Sequence, residues 1–349
     1  MIYNNIPDFT NSISYNFDYA KQHEKRLISK KSSGLGFYIF AYFMTLQVTS
    51  VILAFLLMLT NGMYESIAST SSPLYHMIYT FTAVFSAFIP ALLYLAFSRN
   101  KISDVIQTKP TKLSVVIPLI MIGMAVAMIA NTATEIISNN LSLFGIENTA
   151  VMEEEAITPL AFTLNILSTA VVPAFAEEFA YRGIFLGVLR KYGDTFAIIT
   201  SAIMFGAMHG NLGQIPFAFI LGLLFGFLTC KTNSIIPAII VHFINNFYAV
   251  VMNTLSNNNL LSSRKLYSLN YLIIAVFLLA GIIAFIYLIK KDKNFFNIAD
   301  KSTYSGLLSF KEKIKAFLFN PGIILSLSIF FIEMVLYTNI FSFLTGQSN

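Results

Sequence analysis

Long apolar runs constrain this chain more than any other feature. A run of about 18 or more apolar residues can cross a bilayer core, where a helix is one of few structures that satisfies its own backbone. Apolar runs, the shortest of them 16 residues, fall at about 35–60, 75–98, 113–138, 158–189, 195–210, 213–230, 234–252, 268–289 and 320–344. The expected fold is therefore all-α, a polytopic membrane bundle of about nine spans. Composition agrees, since 56% of the 349 residues are hydrophobic and 11% are charged, against roughly a quarter charged in soluble domains. The net charge of +5 carries no nucleic-acid signal, because the basic residues cluster in loops on one side. A single cysteine, Cys230, excludes an intramolecular disulfide and a multi-thiolate zinc site.

The chain divides by composition. Residues 1–34 form a polar, basic tail, 35–290 the membrane bundle, and 291–349 an interfacial helix followed by the last span. The first run follows the tail and suits a span better than a cleaved signal segment. Lys21, Lys25, Arg26, Lys30 and Lys31 precede it. Arg99 to Lys112, Arg190 with Lys191, Lys231, and Lys290 to Lys315 fall on that same side. Opposite loops carry Glu65, Glu147, Glu153, Glu154 and Glu155, with only Arg264 and Lys265 breaking the pattern. The positive-inside rule then predicts a cytoplasmic N-terminus and, with nine spans, an outer C-terminus. Abundant Asn, Ile and Lys suggest a bacterial cell membrane. Within 305–319, Leu307, Phe310, Ile314, Phe317 and Leu318 share one helical face and Lys311, Lys313 and Lys315 lie towards the other. That is the pattern of a helix lying on the bilayer surface.

The fourth run carries charge where lipid disfavours it. Glu177, Glu178 and Arg182 lie inside it, after Pro173. Each such charge costs roughly 2.5–3.5 kcal/mol at a bilayer centre, so the group needs partners or a task. Glu178 and Arg182 are four apart and share a helix face, whereas Glu177 is turned about 100° away without a local partner. Two further runs carry Phe205 with His209, and His242 with Asn246, each pair again four apart. A rise of about 1.5 Å per residue puts Glu177, His209, His242 and Asn246 at comparable depth, about 12–21 Å from the basic side. Their convergence predicts an interior polar chamber. A carboxylate with an imidazole can take a proton from water, and a second imidazole with an amide can stabilise an oxyanion. Alternatively, Glu177, His209 and His242 supply a two-His, one-carboxylate zinc site. Spacing and residue type leave both schemes open; HExxH is absent.

The ordered set Glu177-Glu178-x-x-x-Arg182, Phe205-x-x-x-His209 and His242-x-x-x-Asn246 resembles the CPBP family of CAAX-prenyl endopeptidases and bacteriocin-processing or immunity proteins, also called Abi proteins. The resemblance covers about 158–250. It implies an all-helical intramembrane protease in which Glu177 and His209 act on water, and His242 and Asn246 form the oxyanion side. Glu178, Arg182 and Phe205 are then supporting residues. It leaves the cofactor as zinc or none. The implied partners are the bilayer and a peptide or small membrane-protein substrate, with no nucleic acid. A peptide-binding immunity scaffold and a proton-coupled transporter are the competing readings; the latter lacks paired broken spans in two halves. Glu333 in the last span, and Asn131 and Glu135 in the third, are polar groups without an assigned task.

Overall fold

A computed structural model describes residues 9–59, 72–143, 158–298 and 306–337. The described secondary structure is helical apart from one isolated antiparallel bridge, Thr108 to Ser234. Helix α1 spans Phe9–Met58, α2 Pro73–Ser98 and α3 Leu113–Ser142. A composite helix α4 covers Pro159–Tyr192. Then follow α5 Asp194–Met208, α6 Gln214–Thr232, α7 Ile236–Asn257, α8 Ser263–Lys291, α9 Phe310–Leu318 and α10 Pro321–Tyr337.

Seven of these helices are long and apolar enough to cross a membrane, or eight if the bent α9–α10 pair makes one span. Two expected spans account for the difference from nine. The run at 195–210 forms α5, of only 15 residues, and the last run is described only as far as Tyr337, giving α10 17 residues. The first falls short of the roughly 20 residues a full crossing takes; residues 338–344 of the last run lie outside the described residues. The polar tail is helical from Phe9 onwards and continuous with the first span. Glu65 and the acidic loop residues from Glu147 to Glu155 lie outside the described residues.

The basic segments gather at one end of the bundle. Arg190 forms a two-pronged ion pair with Asp194, at 2.8 and 3.0 Å, closing the turn from α4 into α5. Lys21 pairs with Glu312 at 2.8 Å, and Lys231 reaches the Asn297 carbonyl at 3.4 Å. Lys313 Nζ donates to the Tyr192 carbonyl at 2.6 Å. Lys313 is therefore buried, not turned out with Lys311, because its long stem can lie along apolar surface while its ammonium caps a helix end. Helix α9 begins with a reciprocal capping box between Ser309 and Glu312. Its apolar anchor, Phe317, packs edge-on against Phe185 of α4 and Phe196 of α5.

Around Gly36 and Gly322 the last helix packs against the first with almost no side chain between them. A Cβ on Gly36 would lie 2.2 Å from the Gly322 backbone, and one on Gly322 would lie 2.0 Å from the Ser33 carbonyl oxygen. Ser326 Oγ donates to the Gly36 carbonyl at 2.7 Å and Gly322 N–H donates to Ser33 Oγ at 3.2 Å. Small residues that let backbones approach are the usual basis of helix association in lipid, where the hydrophobic effect supplies no pull. On the other side, α5 and α6 form a close hairpin in which a Cβ on Gly222 would lie 2.8 Å from the Ala202 Cα.

Candidate active site

The charged helix α4 is not a uniform α-helix. Residues Ile166–Val171 and Phe179–Phe185 adopt the wider π form, and Val172–Glu178 between them is α-helical. Such wide turns occur often at functional sites. Pro173 explains part of this: lacking an N–H, it cannot donate to the Thr169 carbonyl four residues earlier. That carbonyl instead accepts from Asn246 Nδ2 of α7 at 3.2 Å. The proline thus creates a docking point for a polar residue of another helix.

Glu178 and Arg182 are both fully buried. Arg182 Nη1 lies 3.1 Å from Glu178 Oε1 and Arg182 Nη2 donates to the Gly222 carbonyl at 3.3 Å. The guanidinium sits over the Phe205 ring at 4.1 Å and near the Phe225 ring at 5.1 Å. Glu178 Oε1 also receives His242 Nδ1 at 3.0 Å. Four elements therefore meet around one ion pair: α7 at the Glu178 carboxylate of α4, and α5 and α6 at the Arg182 guanidinium. The sequence showed the Glu178–Arg182 pair through its spacing. It gave no sign of the bond to His242, which depends on how α7 packs across α4.

Glu177 points elsewhere. Its Oε2 is 3.9 Å from His242 Nε2, too long for a hydrogen bond, and is buried without a hydrogen-bond partner among the described residues. The phenols of Tyr42, Tyr79 and Tyr181 stand within electrostatic range of it. Tyr42 and Tyr79 lie in no motif and Tyr181 fills an unassigned position just before Arg182, so none of the three was legible as a site residue. His209 ends α5 and lies within range of Glu177, His242 and Arg182. Its Nδ1 is 2.8 Å from the Phe205 carbonyl oxygen. A carbonyl can only accept, so Nδ1 carries hydrogen and Nε2 presents a lone pair. The same reasoning applies to His242: Nδ1 donates to Glu178, leaving Nε2 towards Glu177. Phe205 links the histidines, edge-on to the His209 ring at 4.9 Å and to His242 at 6.1 Å.

The remaining polar residues extend the cluster. Asn131 Nδ2 donates to Asn245 Oδ1 at 2.9 Å, and Asn245 Nδ2 to Asn246 Oδ1 at 3.3 Å. Asn131 thereby joins the Asn246 amide chain, and Asn245 is a member the spacing did not reveal. Glu135 is exposed and lies within electrostatic range of Tyr248. Glu333 of α10 accepts from Gln47 Nε2 at 3.0 Å. Its carboxylate also abuts Gly210, where a Cβ would lie 2.9 Å from both Cδ and Oε2. Gly210 follows His209 with φ +59°, a conformation that glycine alone adopts at little cost. His76, unassigned from sequence, is 2.8 Å from Ser168 Oγ in the first wide turn.

Among the described residues, no three His, Cys, Asp or Glu side chains are arranged to hold a metal ion. Glu177 Oε2 and His242 Nε2, at 3.9 Å, stand wider than two zinc ligands each about 2.0–2.2 Å from one ion in a tetrahedron. A zinc ion held by both would require one of these side chains to move closer to the other.

Residues 159–248 match the family model described as type II CAAX prenyl endopeptidase Rce1-like. The Bacillus subtilis (strain 168) protein described as "Putative membrane peptidase YdiL" is 31% identical over 93 residues, 26% of this chain. The match spans 38% of that relative's length. No solved structure matches the chain. The matched segment holds Glu177, Glu178, Arg182, His209, His242 and Asn246.

Proposed function

Through residues 159–248 the chain belongs to the CPBP family, in the group described as Rce1-like, and on that premise we propose that it is an intramembrane endopeptidase. The proposed substrate is a peptide or small membrane-associated protein. The observation that carries this reading is the unequal state of adjacent carboxylates. Each carboxylate keeps a buried Oε2 without a hydrogen-bond partner among the described residues, but Glu178 Oε1 is engaged by both Arg182 and His242, whereas Glu177 accepts no hydrogen bond there. One carboxylate clamps the site and the other is left to work as a base.

In the proposed reaction, Glu177 with His209 Nε2 removes a proton from water as its oxygen adds to the scissile carbonyl carbon. The carbonyl π electrons move onto oxygen. Asn246 donates to that oxyanion from its second amide hydrogen, and His242 donates from Nε2 when that nitrogen carries hydrogen. Collapse breaks the C–N bond, and the proton held by Glu177 or His209 passes to the leaving amine. Glu178, Arg182 and Phe205 hold these groups without touching substrate. This scheme routes no step through a metal.

The basic end of the bundle faces the cytoplasm in this reading. Helices α1 to α8 then alternate, α5 as a short leg, and α10 leads the C-terminus outwards. A bacterial cell membrane is the proposed location. The test compares peptide termini in membranes holding the wild-type chain or its Glu177→Ala variant. Cleavages present with wild type and absent with the variant are expected; identical cleavages in both would overturn the proposal. Metal analysis of the purified chain, with chelator added to the same assay, is expected to leave cleavage intact. About one zinc per chain, with activity lost on chelation, would replace the metal-free scheme.

A further inference from the structure

A groove of about 570 Å³ runs between α1 and α2, and no residue of α4 lines it. Its α1 wall repeats at helical spacing from Leu27 to Ala41, and its α2 wall runs from Pro90 to Arg99. Fourteen residues of α1 span about 21 Å, roughly one leaflet with its interface. Two residues help open it. Gly34 contributes no side chain, so a Cβ there would lie 3.6 Å from the Tyr94 ring. Pro90 sits inside α2, where its missing N–H breaks the helical ladder.

The groove is chemically two-ended. Its length is apolar, with Phe37, Leu93 and Phe97 open to the surroundings. At one end stand Lys30, Lys31 and Arg99, and no acidic residue lines it. None of the three cations pairs with a carboxylate among the described residues. Arg99 is held in the left-handed region at φ 57°, which non-glycine residues enter at a cost. Tyr38 lines the groove against Tyr94, while its hydroxyl is shut off from the groove's open side. Apolar walls and a cationic mouth match an acyl chain and a phosphate in that order.

We propose that this groove binds one anionic glycerophospholipid, its acyl chain between α1 and α2 and its phosphate between Lys30, Lys31 and Arg99. A zwitterionic lipid would fill the same walls but bring a choline or ethanolamine cation to a mouth already positive. The site stands on the groove alone and is independent of any protease activity.

The chain contains no tryptophan, so an introduced one reports without background. Phe97→Trp puts the probe at the groove, and Leu279→Trp on exposed α8 reports the surrounding lipid. Each full-length variant is reconstituted into phosphatidylcholine vesicles with graded brominated phosphatidylglycerol or brominated phosphatidylcholine. Quenching at position 97 is expected to favour the anionic lipid by about fivefold or more, the effect of one Lys or Arg contact. Position 279 is expected to show no such preference. Adding Lys30→Gln, Lys31→Gln and Arg99→Gln should bring position 97 to parity, while Gly34→Leu should weaken quenching there by both lipids. Unchanged quenching at 279 verifies folding of each variant. Equal quenching by the two lipids at 97, a preference surviving the triple substitution, or displacement by inorganic phosphate would overturn the proposal.

Discussion

Replacing Arg182 by Met tests the clamp on which the site's geometry rests. The Arg182–Glu178 pair is fully buried at 3.1 Å, which at an effective dielectric near 20 corresponds to about 5 kcal/mol of attraction. Much of that offsets the cost of dehydrating the two ions. Removing one partner exposes the asymmetry, because Glu178 stays buried with only His242 to answer its charge. The expected loss is about 3–5 kcal/mol. Replacing both, as Glu178→Gln with Arg182→Met, removes the stranded charge and should recover about 2 kcal/mol of that loss. The chain supplies its own reporter in Cys230, its one cysteine, 7% exposed. Unfolding in mixed micelles with rising dodecyl sulfate can be followed by maleimide-dye labelling of Cys230 and by circular dichroism, whose coincidence supports two-state analysis. An Arg182→Met protein as stable as wild type would refute the argument. So would a double variant as unstable as the sum of its singles.

Two further outcomes follow from close contacts. Gly210→Ala should cost about 1–2 kcal/mol from its left-handed backbone alone, and should slow cleavage by displacing His209; adding Glu333→Ala should relieve the contact with the carboxylate and leave the backbone strain, as thiol protection would show. Gly322→Val should force α10 off α1, lowering stability by about 3 kcal/mol. Retained thiol protection at wild-type denaturant in that variant would mean that the two helices do not depend on the contact.

Much of the scaffold could be read from apolar run length, because lipid forces a helix wherever such a run crosses it. The span that differs, 195–210, does so through an end effect that hydropathy does not register. There, Gly210 and the Asn211 turn stop the helix: Asn211 Oδ1 accepts from Gly213 N–H at 2.9 Å. The Glu178–Arg182 pair was legible because both partners lie on one helix. His242 to Glu178 and Asn246 to Thr169 were not, since each depends on a crossing between helices and, for Asn246, on a carbonyl released by Pro173. Glu333 was visible as an anomaly, but its neighbour Gly210 lies more than a hundred residues earlier. Lys313 was misassigned to the water-facing side because helical periodicity cannot anticipate a long side chain reaching an acceptor on another segment.

The wide turns on either side of Glu177 and Glu178 bear on how this region can change over time. A π turn is an α-helix with one residue too many, absorbed locally. Deleting a residue within Ile166–Val171 would let the coil tighten and swing everything beyond it by about 100° relative to what precedes it. The acids would then face acyl chains instead of imidazoles. Side-chain identity along this segment can drift, but its length is fixed by the direction in which two carboxylates must look.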